Sequence, residues 1–257
     1  MMIHVRQRLH ARSAALLLTI EGGLPRIMTG WLVVAVLASA LRVATSPLYG
    51  ALPPLSALLP YVLLVLTPFG AMLLSLNWFA EGDRLAQPMT RLARVGRWRN
   101  VSRSEAIRHP LYGTSGIMVS LLVGMLINVP VRAAEYLTAM PALAGPVPNW
   151  LRILHGLMTL DVVLLSSLYV VAFVAALRRV PLFPRLLAAI WMIDLAMQMG
   201  IAKLVAGTDG LPVAVAQSLE ALLEGNVKKV LISVALWLPY LLLSQRVNIT
   251  YRHRIAR

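Results

Sequence analysis

The run from Trp150 to Leu177, WLRILHGLMTLDVVLLSSLYVVAFVAAL, decides the fold class. Between Asp161 and Arg178 it carries no charged side chain. About 20 apolar residues cross the hydrocarbon layer of a bilayer, and only a helix satisfies every backbone amide there. The stretch therefore reads as a membrane-spanning helix. Five more segments of the same kind flank it. The first runs from Trp31 to about Leu48, and the second from about Pro53 to Phe79 with Pro60 and Pro68 as kinks. The third runs from about Gly113 to Leu137, interrupted by Pro130. The fifth runs from Leu182 to about Val205, and the sixth, the shortest, from about Val227 to Leu243 with Pro239 inside it. The fold class expected is an all-α polytopic membrane protein of six transmembrane helices.

Composition agrees. Hydrophobic residues make up 59% of the 257 and charged ones 13%, where a soluble domain carries about 25% charged. Mean hydropathy is +0.75. The net charge of +14 sits between and beyond the apolar runs, which favours an anionic membrane face over nucleic acid as partner. With no cysteine, disulfides, thiolate metal sites and thiol nucleophiles are excluded. No HExxH, no P-loop and no closely spaced carboxylate pair occurs, so no metal, cofactor or catalytic residue is expected.

Orientation follows from arginine, because short basic loops stay on the cytoplasmic side. With the N-terminus inside, cytoplasmic segments collect Arg6, Arg8, Arg12 and Arg26, then Arg84, Arg91, Arg94, Arg97, Arg99, Arg103 and Arg108. They also collect Arg178, Arg179 and Arg185, then Arg246, Arg252, Arg254 and Arg257. The outer segments Ser46 to Leu52 and Thr138 to Asn149 are uncharged, and Ala206 to Asn226 is acidic through Asp209, Glu220 and Glu224. Both termini are thus placed in the cytoplasm and the protein in a bacterial cytoplasmic membrane. The apolar run Ala14 to Ile20, ending at Glu21-Gly22-Gly23-Leu24-Pro25, reads as an uncleaved in-plane or loosely packed cytoplasmic segment.

The chain divides into residues 1–79, a two-helix front; 80–112, a basic loop; and 113–257, a four-helix module. In the loop, Leu85, Met89, Leu92 and Val95 recur at helical spacing, which predicts a short amphipathic helix. Its arginines Arg84, Arg91, Arg94, Arg97 and Arg99 are candidates for contact with anionic lipid.

The last span ends in ALWLPYLLLSQRVNITY, residues 235–251. It resembles the closing signature of a family of small bacterial four-helix inner-membrane proteins of unknown function, W-(I/V)-P-Y, three variable residues, S-x-R-V, then T-F. Leu238 and Tyr251 depart from that pattern. The matching positions are Trp237, Pro239, Tyr240, Ser244, Arg246 and Thr250, and Phe173 to Pro184 is similar to the family's basic inter-helix turn. The likeness covers about residues 113–251 and implies a four-helix membrane module with a cytoplasmic C-terminus, but no reaction. Pro239, Tyr240 and Arg246 are expected to stop the helix and anchor it at the headgroups. A second likeness, Arg108-His109-Pro110-Leu111-Tyr112, is similar to the R-H-P-x-Y stretch of integral-membrane methyltransferases. Here Pro110 reads better as the opening of the third span.

Ionisable groups inside spans cost about 2.5–3.5 kcal/mol on insertion scales, so each is expected to have a partner or a task. Asp161, Asp194, Gln198 and Lys203, with His155 nearby, form a candidate intramembrane polar cluster, with Asp194 the deepest acid. Arg132 and Glu135 are expected to pair at a helix end. Three functions follow as expectations. The first is a non-catalytic subunit or scaffold of an envelope machine that docks other membrane proteins. The second is a small transporter or channel-like protein using Asp161, Asp194 and Lys203. The third is a lipid methyltransferase.

Overall fold

The computed structural model describes residues 2–46, 55–90, 96–143 and 145–257. They form an all-α polytopic membrane protein. In chain order the elements are α1 (Met2–Ala44), α2 (Leu55–Trp78), β1 (Trp98–Asn100), α3 (Arg103–Arg108), α4 (Met118–Ala139) and α5 (Asn149–Leu177). There follow α6 (Phe183–Ala206), α7 (Val213–Leu243), α8 (Gln245–Arg252) and β2 (Arg254–Ala256). Among the described residues, six helices are long and apolar enough to cross a membrane.

The Trp150–Leu177 run is the axis of the bundle. As α5 it packs against α2, α4 and α6, and 67% of its apolar window is buried, against 11% for α1 and 17% for α7. From Ala172 to Ala176 it is buried on all sides, where small residues let neighbours approach closely. The outer faces of α1 and α7, with Val34, Leu37, Leu41, Ile232 and Leu236 exposed, are left to hydrocarbon.

Several expected boundaries move. The segment Ala14 to Ile20 is not separate, because α1 runs unbroken through Gly22, Gly23 and Pro25. Ile20 and Leu24 are buried in the same core as Met72 and Met118. In an apolar setting a proline kinks a helix rather than ending it, since the backbone finds no other partner. The third span opens at Met118, eight residues after Pro110, because Gly113 and Gly116 adopt positive φ (105° and 75°) and break the helix before it. The sixth span is a 31-residue helix rather than the shortest. Leu219, Leu223, Asn226 and Val230 face inward at helical spacing, while Glu224 pairs with Lys228 on the exposed side at 2.6 Å. Its charges lie on one face and mask the helix from an averaged hydropathy. In the basic loop, residues 85–90 are irregular rather than helical. Residues 91–95, with Arg91 and Arg94, lie outside the described residues, as do the expected span ends at Leu48 and Pro53.

The basic end is closed by a cap absent from the sequence reading. β1 pairs antiparallel with β2, Trp98 opposite Ala256 and Asn100 opposite Arg254. The amphipathic α8 turns back under the bundle with Val247, Ile249 and Tyr251 buried. Here the signature residues act as tethers. The Gly113 amide donates to Thr250 Oγ1 at 3.0 Å, Arg246 Nη1 donates to Ser115 Oγ at 2.9 Å, and Tyr251 OH donates to the Ala176 carbonyl at 2.8 Å. Arg246 therefore holds the turn before α4, which corrects the expected headgroup anchor. Arg252 Nη1 donates to the Leu241 carbonyl at the end of α7 at 2.7 Å. Burial, with Arg254 and Arg185 nearby, pushes the Arg252 guanidinium down to about 10.

In the same cap Arg103 donates to Asp83 Oδ2 at 2.7 Å. Partial burial works to raise the Asp83 carboxyl, but Arg103 outweighs it, helped by the Arg179 and Arg84 charges, and holds it below its ordinary value.

Two outcomes are expected. Tyr251→Phe removes one buried hydrogen bond, a cost of about 1 kcal/mol. Thermal unfolding in detergent should show this as a modest fall in midpoint, and deletion of residues 245–257 as a much larger one. A depressed carboxylate stabilises the fold above its unfolded pKa of about 3.9 and loses that contribution as pH falls through the lower folded value. The stability difference between Asp83→Asn and the parent, under about 1 kcal/mol for so exposed a pair, should therefore be present at pH 7 and disappear as the pH falls through the lowered folded value.

Candidate functional site

The buried stripes of α4, α5, α6 and α7 are largely apolar, and charged side chains enter them at one level. On α4 the stripe is Met125, Val129, Arg132 and Tyr136, and on α7 it is Leu219, Leu223, Asn226 and Val230. On α5 it passes through Asp161 and on α6 through Asp194 and Gln198. The packing core is accordingly in two parts. One holds Met125, Val129, Leu165, Tyr169, Trp191 and Val230, towards the capped end. The other holds Ala133, Tyr136, Met158, Val162, Ile201 and Leu223, towards the opposite end. Between them lies a charged layer. At 1.5 Å per residue, Asp161 and Asp194 stand about 18 Å from the uncapped ends of their helices, and Arg132 about 10 Å.

Arg132 is the hub. Its Nη1 donates to Asp161 Oδ2 at 3.1 Å, its Nη2 donates to Asp194 Oδ2, and its Nε donates to Asn128 Oδ1 at 3.0 Å. The guanidinium also lies over the Tyr169 ring, 5.7 Å from its centroid. Tyr169 OH donates to Asp194 Oδ2 at 3.1 Å, and Gln198 Nε2 donates to Asp161 Oδ1 at 3.0 Å and to Asp194 Oδ1 at 3.4 Å. The Asp194 side chain is wholly buried (0% exposed), so each of these donors replaces water. Removing one partner of such a buried pair costs about 3–5 kcal/mol, because the other charge is left without compensation.

The layer reaches the surface along one chain of contacts. Asn226 Nδ2 donates to Gln198 Oε1 at 3.3 Å, Lys229 Nζ donates to Asn226 Oδ1 at 3.3 Å, and Lys229 also pairs with Glu135. Lys229 is 57% exposed, so this end is open. A cleft of about 40 Å³ between α4 and α7, floored by Tyr169, follows the same residues. That is room for about one water molecule, whose share of liquid volume is about 30 Å³.

The structure brings Asp161, Asp194 and Gln198 together as one cluster. It does not bring Lys203, which lies exposed near the end of α6; Arg132 takes the cationic place. The expected Arg132–Glu135 pair is likewise corrected, because Arg132 lies on the buried stripe and Glu135 turns to Lys229. His155 forms a separate station. Its Nε2 is 3.2 Å from the Pro141 carbonyl, a contact that requires the proton on Nε2, and 3.4 Å from Tyr136 OH. Tyr169 and Asn226, which no motif marks, join the layer from buried positions. The signal was a polar residue recurring on an otherwise apolar buried stripe.

At the basic face Arg84 pairs with Glu81 at 2.8 Å and Arg99 with Glu105 at 2.7 Å, yet both arginines stay exposed. Arg97 offers its carbonyl to the Arg257 amide at 2.9 Å. In the methyltransferase-like stretch His109 Nδ1 accepts the Leu111 amide at 3.1 Å, closing a local turn. Of the remaining signature residues, Trp237 and Tyr240 pack edge to face, 6.0 Å between centroids, within α7, which runs through Pro239. Ser244 begins α8. No group of three or more His, Asp or Glu side chains with metal-holding geometry occurs among the described residues. Compared with protein-family models, with curated proteins and with solved structures, the chain matches none, so the charged layer is read from its own geometry.

Proposed function

We propose that the chain is a proton-handling, transporter-like membrane protein whose working site is the Asp161–Asp194 pair held against Arg132. One observation carries this reading. Along the connected chain of contacts the cations are Arg132 and Lys229 and the acids are Asp161, Asp194 and Glu135, which leaves one negative charge without a counterpart. An uncompensated carboxylate in a hydrocarbon interior costs several kcal/mol, and the least costly remedy is a proton shared between the two aspartates. The cleft beside Arg132, Asn226 and Lys229, with room for about one water molecule, supplies a carrier for that proton. Protonation would weaken the hold of Arg132 on one helix, so exchange at this site and movement of α4 against α5 and α6 are linked.

A second reading, the non-catalytic subunit of a bacterial envelope machine, has its own support in the exposed apolar faces of α1 and α7, on which another membrane protein would pack. It predicts stoichiometric partners in a mild-detergent pull-down. The likeness of residues 113–251 to a four-helix family of unknown function fits either reading and adds no reaction. A methyltransferase centred on His109 draws no support from a ring engaged in its own local turn. We place the protein in a bacterial cytoplasmic membrane, cap inside, on the distribution of arginine.

Infrared difference spectra should show a protonated-carboxyl carbonyl band at neutral pH that is lost or shifted in Asp161→Asn and Asp194→Asn. In liposomes both variants should lose the proton flux that an imposed membrane potential drives through the parent. A spectrum without that band, or flux unchanged in both variants, refutes the reading. Because the chain lacks cysteine, single-cysteine labelling reports sidedness without background. Ser104→Cys and Arg257→Cys should label from the inside, and Thr208→Cys from the outside.

A further inference from the structure

A second cavity lies on the other face of α4. It measures about 300 Å³ and is bounded by Met28, Trp31 and Val34 of α1, Phe69 and Met72 of α2, and Leu126, Ile127, Val129 and Pro130 of α4, with Val170 of α5 at its back. Its existence follows from residues that hold helices apart. Pro68 and Pro130 line it, and a proline bends its helix away from the turn before it. Gly30 also lines it, and a Cβ built there meets nothing within 4 Å. The one polar group nearby is already engaged, since Trp31 Nε1 donates to the Val65 carbonyl at 3.0 Å, three residues before Pro68. Apart from Trp31, the side chains that line the space are apolar.

Depth identifies what fills it. Pro68 and Leu126 to Pro130 lie near the middle of α2 and α4, and Val34 and Ile127 at the rim are exposed to the surrounding hydrocarbon, 63% and 53%. A polypeptide segment from the aqueous phase would bring backbone amides without partners to that depth, and water would find no polar contacts. The medium itself offers only hydrocarbon. We propose that this cavity is a binding site for a single acyl chain, entering sideways from the bilayer past Val34 and Ile127. A methylene is about the size of a water molecule, about 30 Å³, so the cavity takes about ten of them, the inner part of one lipid tail. This site stands independently of the proton reading.

The test uses the full-length protein in liposomes doped in parallel with a phospholipid carrying a photoactivatable diazirine in its acyl chain, or with a diazirine fatty acid. Peptide mass spectrometry then locates the label. Label should concentrate on residues 27–34, 68–72 and 126–130, well above that on the lipid-exposed Leu231, Ile232 and Leu236 of α7. Gly30→Phe, which fills the cavity, should reduce it several-fold, while Ile232→Phe should not. Should Gly30→Phe fail to fold, Val34→Trp at the rim serves the same purpose. Capture from the phospholipid identifies a membrane lipid's tail as occupant, and capture from the fatty acid alone a free chain. Label spread evenly between cavity and α7, or undiminished in a folded cavity-filled variant, overturns the proposal.

Discussion

The structure depends on one constraint, that Arg132 must keep its charge in the middle of a membrane. A guanidinium is always protonated, so the helix carrying it is stable in hydrocarbon only if carboxylates from elsewhere reach it. Asp161 and Asp194 do so from two different helices. This fixes the register of α4, α5 and α6 relative to one another. It also splits the apolar core into two parts. Buried ionic groups of this kind are poor sources of net stability and good sources of uniqueness, because every alternative register leaves a charge without a partner.

Much of this was written in local sequence, and some was not. The spans of α5 and α6 were legible because length and hydropathy alone define a bilayer-crossing helix. α7 was misjudged because averaging hydropathy along the chain cannot tell Glu220 and Glu224 on an exposed face from the buried Leu219 and Leu223 beside them. Pairing Arg132 with Glu135 relied on the nearest opposite charge along the helix. The periodicity of Met125, Val129, Arg132 and Tyr136 holds the better information, that Arg132 points inward. The cost of burying acids points to Asp161 and Asp194 as one cluster, but that Arg132 and not Lys203 joins them cannot be read from spacing, since the three belong to separate helices and converge only through packing.

α4 is the element on which these features converge. One face carries Asn128 and Arg132 towards the polar cleft, and another carries Ile127 and Pro130 towards the apolar cavity. The turn ahead of it is held by Ser13 of α1, which accepts the Gly116 amide at 2.9 Å, and by Arg246 and Thr250 of the cap. At its far end Arg42 donates to the Met140 carbonyl at 2.9 Å. The helix is thus fastened at both ends and left with a proline in its middle, an arrangement in which bending at Pro130 costs less than sliding.

The cap also dictates an order of events during synthesis. A chain emerges from its N-terminal end, so α4 enters the membrane with Arg132 before either aspartate has been made. The turn ahead of α4 and the end of α5 wait longer still, since Thr250 and Tyr251 follow all six spans in the chain. Until they arrive, the capped end of the bundle has its helices inserted but not yet closed. A nascent chain stalled between α7 and α8 would expose this unfinished face to proteases and chaperones, so closure of the cap follows insertion of every span.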